Sequence, residues 1–371
     1  MSAEQGASRD AYASAGVDVG GEHAALAGLL GHVKGTFAHR PPGSVGHVET
    51  GVGYFASVLR LNDQLGLAVA ADGVGTKLLV AQLCERYDTV GIDLVAMNVN
   101  DLVCVGAEPI SLLDYVAVEA LDEAMLTELG AGLAEGAAQA GCAIAGGELA
   151  QIGAMLRGAR PGKAFDLAAV ALGTVALDQV NLGAAVQPGD VVVGWASSGI
   201  HSNGLSLARK ALLAEDGSGW DQPLPGGGGE TIGDALLEPT RIYVKPALEL
   251  LRDEGVEVSA LAHITGGGYG NMNRIAAACG YELPNLPEPP AIFRAIEEAT
   301  KAPRSELYPA FNMGVGFTVT VRPGGEDAAL AVAERYGFPA WVLGEAVESA
   351  ERVITLPSVG LRIDPSGFQP L

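Results

Sequence analysis

Twice in this chain an apolar run enters a short polar loop rich in glycine and leaves it with helical spacing. Leu65 to Ala71 runs into Asp72-Gly73-Val74-Gly75-Thr76-Lys77, and Leu78 to Arg86 follows as a predicted helix. Val191 to Ala196 likewise feeds Ser197-Ser198-Gly199-Ile200-His201-Ser202-Asn203-Gly204 and a predicted helix from Leu205 to Leu213. A strand that turns through glycine into a helix brings backbone amides close to solvent, where a phosphate can sit. Two such openings far apart in the chain call for two α/β units. The length of 371 residues agrees, because one core rarely serves more than about 250–300.

The expected organisation is a mobile N-terminal segment with a glycine-containing loop over 1–60, its mobile stretch running from Ser44 to Tyr54, then domains over 61–180 and 181–371. The first domain's pattern predicts a helix from Ile92 to Val105, a strand from Ile110 to Val118, a helix from Glu123 to Gln139 and strand from Phe165 to Val175. The second predicts helices at Val244 to Asp253 and Ile292 to Lys301, and strands at Val315 to Val321 and Trp341 to Gly344. The tract Leu224 to Gly229 reads as a surface loop without chemistry.

A formal charge of −22 argues against nucleic acid, which needs clustered cations, and none are clustered here. An anionic substrate would need local positive charge or magnesium against that field. No charge-free run reaches the roughly 18 to 20 residues of a membrane helix, and Met1 to Arg9 lacks a signal peptide's pattern, so a cytoplasmic address is expected. Cys84, Cys104, Cys142 and Cys279 are widely spaced and read as reduced core residues.

Three constellations carry chemistry. Asp93, Met97, Asn100 and Asp101 share one face of a predicted helix, and Thr89 to Pro109 contains no Lys or Arg. Magnesium, a remote salt bridge or a solvated face would each account for them. Asp72 and Glu148 are further acids at strand ends, and Asp114 is either one of the set or a satisfied core acid. Second, Gly73 and Gly75 admit an anion, Thr76 adds a hydroxyl and Lys77 a charge, although the spacing is not a Walker loop. Third, His201 and Asn203 stand in one polar loop, and His263-Ile264-Thr265-Gly266-Gly267-Gly268 forms another. A lone histidine is more often structural, but two in glycine-rich loops tilt towards function. Arg241 and Lys245, four apart, suit a substrate phosphate or the surface equally.

Asp101 to Pro109 matches the Asp, four residues, Gly-Ala, one residue, Pro signature of an ATP-binding superfamily that includes selenophosphate synthetase and thiamine-phosphate kinase. Tyr12 with Ala15-Gly16-Val17-Asp18, Asp72 to Lys77, Gly91 to Met97, Ser197 to Gly204, Glu238 to Pro246 and His263 to Gly268 together resemble one branch, the phosphoribosylformylglycinamidine cyclo-ligase (aminoimidazole ribonucleotide synthetase) family. The resemblance spans Tyr12 to Glu345. It implies a two-domain α/β (α+β) fold in a homodimer, the N-terminal sheets joined in a barrel-like core and the C-terminal α/β domains outside. It implies ATP-dependent closure of an imidazole ring: the formyl oxygen attacks ATP, and the amidine nitrogen then displaces phosphate from the imino-phosphate.

Carried onto this sequence, the resemblance implies an ATP site of Asp72, Gly73, Gly75, Thr76, Lys77, Asp101 and Gly106. Asp72, Asp93, Asp101 and Glu148 would hold Mg²⁺, and Lys77 would offset charge on the transferred phosphoryl group. Asn203, Arg241, Lys245, Thr265, Gly266 and Gly267 would bind substrate, with His201 and His263 for polar contacts or proton transfer. The family's Gly-Gly-Glu-Thr-Ala-Glu segment reads Gly146-Gly147-Glu148-Leu149-Ala150-Gln151 here, and His47 to Tyr54 replaces its glycine-rich loop. A sister synthetase or kinase acting on another amide-like substrate, and a non-catalytic nucleotide-binding protein, are the rival readings.

Overall fold

The computed structural model describes residues 19–371. Tyr12 and the Ala15 to Asp18 string lie outside them. A helix, Val19–Gly35, precedes strand β1 (Ser57–Arg60) and β2 (Leu65–Gly73). Helices Lys77–Cys84 and Asp88–Cys104 lead to β3 (Glu108–Val118), and helix Glu123–Ala140 joins β4 (Ala143–Gln151) and β5 (Phe165–Ala176). These strands form one sheet in the order β1-β2-β5-β3-β4. All its pairs are antiparallel except β3 with β4.

Asp88–Cys104 is buried on nearly every side, since the sheet lies below it and Glu123–Ala140 packs along it. Its buried polar members, Asp93, Asn98 and Asn100, each find hydrogen-bond partners there. The other face of the sheet stays open. Ile110, Leu113, Tyr115 and Val170 are 47, 42, 40 and 37% exposed there, and the sheet of one chain is not closed into a barrel.

The second domain runs through β6 (Val191–Ala196), helices Leu205–Leu212, Ile232–Leu237 and Val244–Leu251, and β7 (Val258–His263). Next come β8 (Cys279–Glu282), helices Ala291–Thr300 and Arg304–Ala310, β9 (Val315–Val321), helix Glu326–Arg335 and β10 (Ala340–Glu348). Strands β11 (Ile354–Leu356), β12 (Leu361–Asp364) and β13 (Gly367–Pro370) close the chain. The sheet order is β13-β12-β11-β8-β10-β6-β9-β7, and every residue of β9 is buried. Trp195, Tyr243, Phe317 and Phe338 stack or meet edge-on with ring centroids 5.1–6.3 Å apart at its centre.

The stretch expected to be mobile has fixed partners instead. Val48 bridges Leu59, the Thr50 hydroxyl accepts from the Val58 amide, and the Tyr54 hydroxyl donates to the Leu261 carbonyl at 3.3 Å. The four cysteines are free, Cys104 and Cys279 being buried. Among the described residues no helix is long and apolar enough to cross a membrane.

Candidate active site

The motif residues divide between a buried seam and an open cleft. The seam forms where Asp88–Cys104 meets the segment before Val244–Leu251. Lys77 Nζ lies 2.7 Å from Asp93 Oδ2 and donates to the Glu238 carbonyl at 2.6 Å, both side chains having no solvent exposure. Burial pulls the Lys77 ammonium below the usual lysine range, and Asp93 opposes that pull. Asp93 also accepts from the Thr240 amide at 2.7 Å, the Thr240 hydroxyl at 2.5 Å and the Ser202 hydroxyl at 3.2 Å. Lys77 and Asp93 therefore neutralise each other inside the protein. In this arrangement both expected site residues are already partnered, and neither lines the open cleft.

His201 belongs to the same seam. Its Nε2 accepts from the Ser198 amide at 3.3 Å and the Arg241 amide at 3.4 Å, and its backbone is left-handed at φ 64°. Burial, with His263, Lys77 and Arg241 nearby, holds its pKa well below the ordinary histidine value. Two accepted amide bonds put the proton on Nδ1, so in this arrangement His201, expected to make polar contacts or carry a proton, is a neutral imidazole held by the backbone. The Arg241 guanidinium lies 5.0 Å over the Phe338 ring, and Lys245 Nζ donates to the Ala138 carbonyl at the end of Glu123–Ala140. Neither faces the cleft as a substrate ligand would. Gly106, at φ 79°, ends Asp88–Cys104, and a Cβ there would stand 3.1 Å from the Gln179 carbonyl. It makes a tight turn against the interdomain linker instead of a nucleotide contact.

At the edge of the seam the acids turn outward. Asp101 is 18% exposed and accepts from His263 Nδ1 at 2.9 Å, while His263 Nε2 accepts from the Asn100 amide at 3.3 Å. That imidazole is wholly buried and holds Asp101 in place. The exposed residue Asp72 caps its own loop by accepting from the Gly73 amide at 2.7 Å. Its carboxyl is raised, first by local desolvation and then by the charge of Asp101 against a backbone hydrogen bond, so the two acids share one field. Asp114 stands in the same sheet row as Asp72, each opposite Ala169. Glu148 is opposite Tyr115, in the adjoining register row that carries the open sheet face. Of the four expected metal ligands, Asp72 and Asp101 are neighbours, and among the described residues no three His, Cys, Asp or Glu gather as a metal cage.

The cleft holds about 990 Å³ and is lined by four of the predicted residues, Thr76, Asn203, Gly266 and Gly267, while Gly73, Gly75 and Thr265 lie outside its lining. Gly75 at φ 71° is open to solvent and turns the chain so that Thr76 faces Ser206 across the domain boundary, their hydroxyls 3.0 Å apart. Asn271, buried, donates to the Thr265 hydroxyl at 3.0 Å and the His263 carbonyl at 3.1 Å, fixing the glycine turn. The Asn203 amide nitrogen is buried without a hydrogen-bond partner among the described residues. Sequence reasoning missed Arg274, the only cation on this wall among the described residues, which stands 5.0 Å over the Phe55 ring. Its position three residues after Asn271 and beyond the three glycines was the available signal.

Two family models cover most of the chain: the N-terminal domain of AIR synthase related protein matches 53–175, and its C-terminal domain matches 187–356. A phosphoribosylformylglycinamidine cyclo-ligase of Methanothermobacter thermautotrophicus is 45% identical over 92% of this chain and 96% of its own length. The protein of that name from Thermococcus kodakarensis is 43% identical over 95% of this chain and 99% of its own. Among solved structures, thiamine-monophosphate kinase from Stenotrophomonas maltophilia shares the fold with a TM-score of 0.59 at 19% identity, covering 87% of this chain and 94% of that one. Escherichia coli HypE, a hydrogenase maturation protein, does so with 0.56 at 21%, covering 83% and 85%. With both domains matched in order and relatives aligned nearly end to end, the chain belongs to the AIR synthase related family, in its phosphoribosylformylglycinamidine cyclo-ligase branch.

Proposed function

We propose that this protein closes the imidazole ring of aminoimidazole ribonucleotide in purine biosynthesis, converting formylglycinamidine ribonucleotide and ATP to product, ADP and phosphate. The observation that carries this is the 45% identity to a cyclo-ligase over 92% of the chain. The cleft supplies what the reaction asks of a protein. Arg274 offers the substrate phosphate a cation held rigid by Phe55, and the amides and hydroxyls around Thr76, Asn203, Thr265, Gly266 and Gly267 surround the ribose.

ATP approaches the loop Asp72 to Thr76. Magnesium keeps one or two carboxylates and takes its other ligands from phosphates and water, so Asp72 and Asp101 fit a metal that arrives with the nucleotide. That ion would neutralise charge developing on the transferred phosphoryl group. His263 and Asn100 keep Asp101 in one orientation, and the seam holds the two domain walls in register.

We assign the functional unit as a homodimer in the cytoplasm. The open apolar sheet face around Leu113, Tyr115 and Val170 is the surface a second copy would cover, giving two sheets face to face.

The test is to supply formylglycinamidine ribonucleotide, ATP and Mg²⁺ and follow aminoimidazole ribonucleotide and ADP together. Coupled formation supports the reading. ADP without the ribonucleotide would reassign the chain to a sister synthetase or kinase, and neither product would make it a binding protein.

A further inference from the structure

One charged side chain on the cleft wall has no answering group among the described residues. Arg274 lies over Phe55, and Asp364 accepts from Arg362 at 2.7 Å and from the Ser366 amide at 2.8 Å. Glu306, on the short helix Arg304–Ala310, lines the same cleft beside Ser305 and Pro309. It is partly buried, and among the described residues its carboxylate has no hydrogen-bond donor and no ion-pair partner. Desolvation alone moves its carboxyl above the ordinary glutamate value. In a chain with so few bases, an acid could easily be left in open water. A carboxylate kept partly dehydrated and unpaired costs stability unless a ligand answers it.

The ribonucleotide assigned to this cleft carries charge at two places, the phosphate at one end and the amidine on the other side of the ribose. Its phosphate is an anion that Arg274 suits. Its amidine is a planar group with two N–H donors side by side, cationic when protonated, with the fork geometry that matches a carboxylate in arginine pairs. Resting on the cyclo-ligase reading, we propose that Glu306 grips the amidine through paired charge-assisted hydrogen bonds and selects it over the corresponding amide. The amide carries an oxygen where the amidine carries an N–H. That oxygen would face the carboxylate, lose one bond and add repulsion, which is the stronger kind of discrimination because a buried polar group is left unpaired. Glu306 is a specificity residue that orients the nitrogen for ring closure and forms no covalent bond.

The experiment measures, without ATP, calorimetric binding of formylglycinamidine ribonucleotide and of its amide counterpart, formylglycinamide ribonucleotide, to wild type, Glu306→Gln and Glu306→Asp. Wild type is expected to prefer the amidine by about 10- to 100-fold. Glu306→Gln is expected to erase most of that ratio and raise KM for the ribonucleotide while leaving KM for ATP unchanged, and Glu306→Asp to restore part of it. Melting temperatures at or above wild type in Glu306→Gln separate lost recognition from lost folding, since the substitution removes a dehydrated charge. A wild-type preference kept intact in Glu306→Gln would overturn the proposal alone. Wild type that neither binds nor turns over the amidine would overturn the cyclo-ligase reading and the proposal with it.

Discussion

Lys77 and Asp93 meet 2.7 Å apart with neither side chain exposed, and Thr240 from the other domain closes over them. Removing one member strands the other charge in the interior, which costs about 3–5 kcal/mol, whereas replacing both by apolar residues restores much of that. Lys77→Met and Asp93→Leu should each lower the urea midpoint sharply, and the double variant should be more stable than either. Additive losses would mean that the two do not depend on each other.

The outline of the fold was legible from sequence for particular reasons. Leu65 to Ala71, Glu123 to Gln139 and Val315 to Val321 carry clean periods, and the structure places elements over each. Strand Ala143–Gln151 was read only as a strand end at Glu148, because Ala143, Ala145, Gly146, Gly147 and Ala150 give it little pattern and it is mostly exposed at the sheet edge. The site was legible in its glycine loops and not in its pairings. Nothing local says that Lys77 is answered by Asp93, or that Arg241 turns towards Phe338, because both contacts are made across the fold.

His201 makes stability depend on acid in a definite direction. Its folded pKa is depressed, so below about pH 6.5, the unfolded value, the unfolded chain takes up a proton that the folded one refuses. Stability should fall with pH by up to about 1.4 kcal/mol per unit from this group and level off above neutrality. Denaturant melts at pH 5, 6 and 7.5 should show a shallower slope in His201→Asn. An equal slope would take this role from His201.

Asp101→Asn should leave the melting temperature near wild type, since its carboxylate is partly exposed and asparagine can still accept from His263. Loss of one of the two carboxylates proposed for magnesium should cut ATP turnover by about 10- to 1,000-fold. Part of the deficit should return at high Mg²⁺. Unchanged turnover would remove Asp101 from the site.

The open sheet face gives a prediction about assembly. Leu113→Lys combined with Tyr115→Glu places charges where a second copy would have to bury them. Light scattering should report a dimer for wild type and a folded monomer for the double variant. A wild-type monomer at micromolar concentration would count against the homodimer.

Gly268→Ala tests the turn fixed by Asn271. A methyl group there would fall 1.9 Å from the Tyr308 carbonyl oxygen, so the turn must move. Ribonucleotide affinity should drop more than ATP affinity in equilibrium binding.

The seam also bears on how the molecule comes apart. Asp93 draws three of its hydrogen bonds from Ser202 and Thr240, and Asn100 holds both the Arg241 carbonyl and the Tyr243 amide, so each half is finished by the other. A chain severed between β5 and β6 would leave those buried groups without their donors. The two domains should therefore melt as one cooperative event in calorimetry, and the first half made alone should be a poor folder despite having a complete sheet.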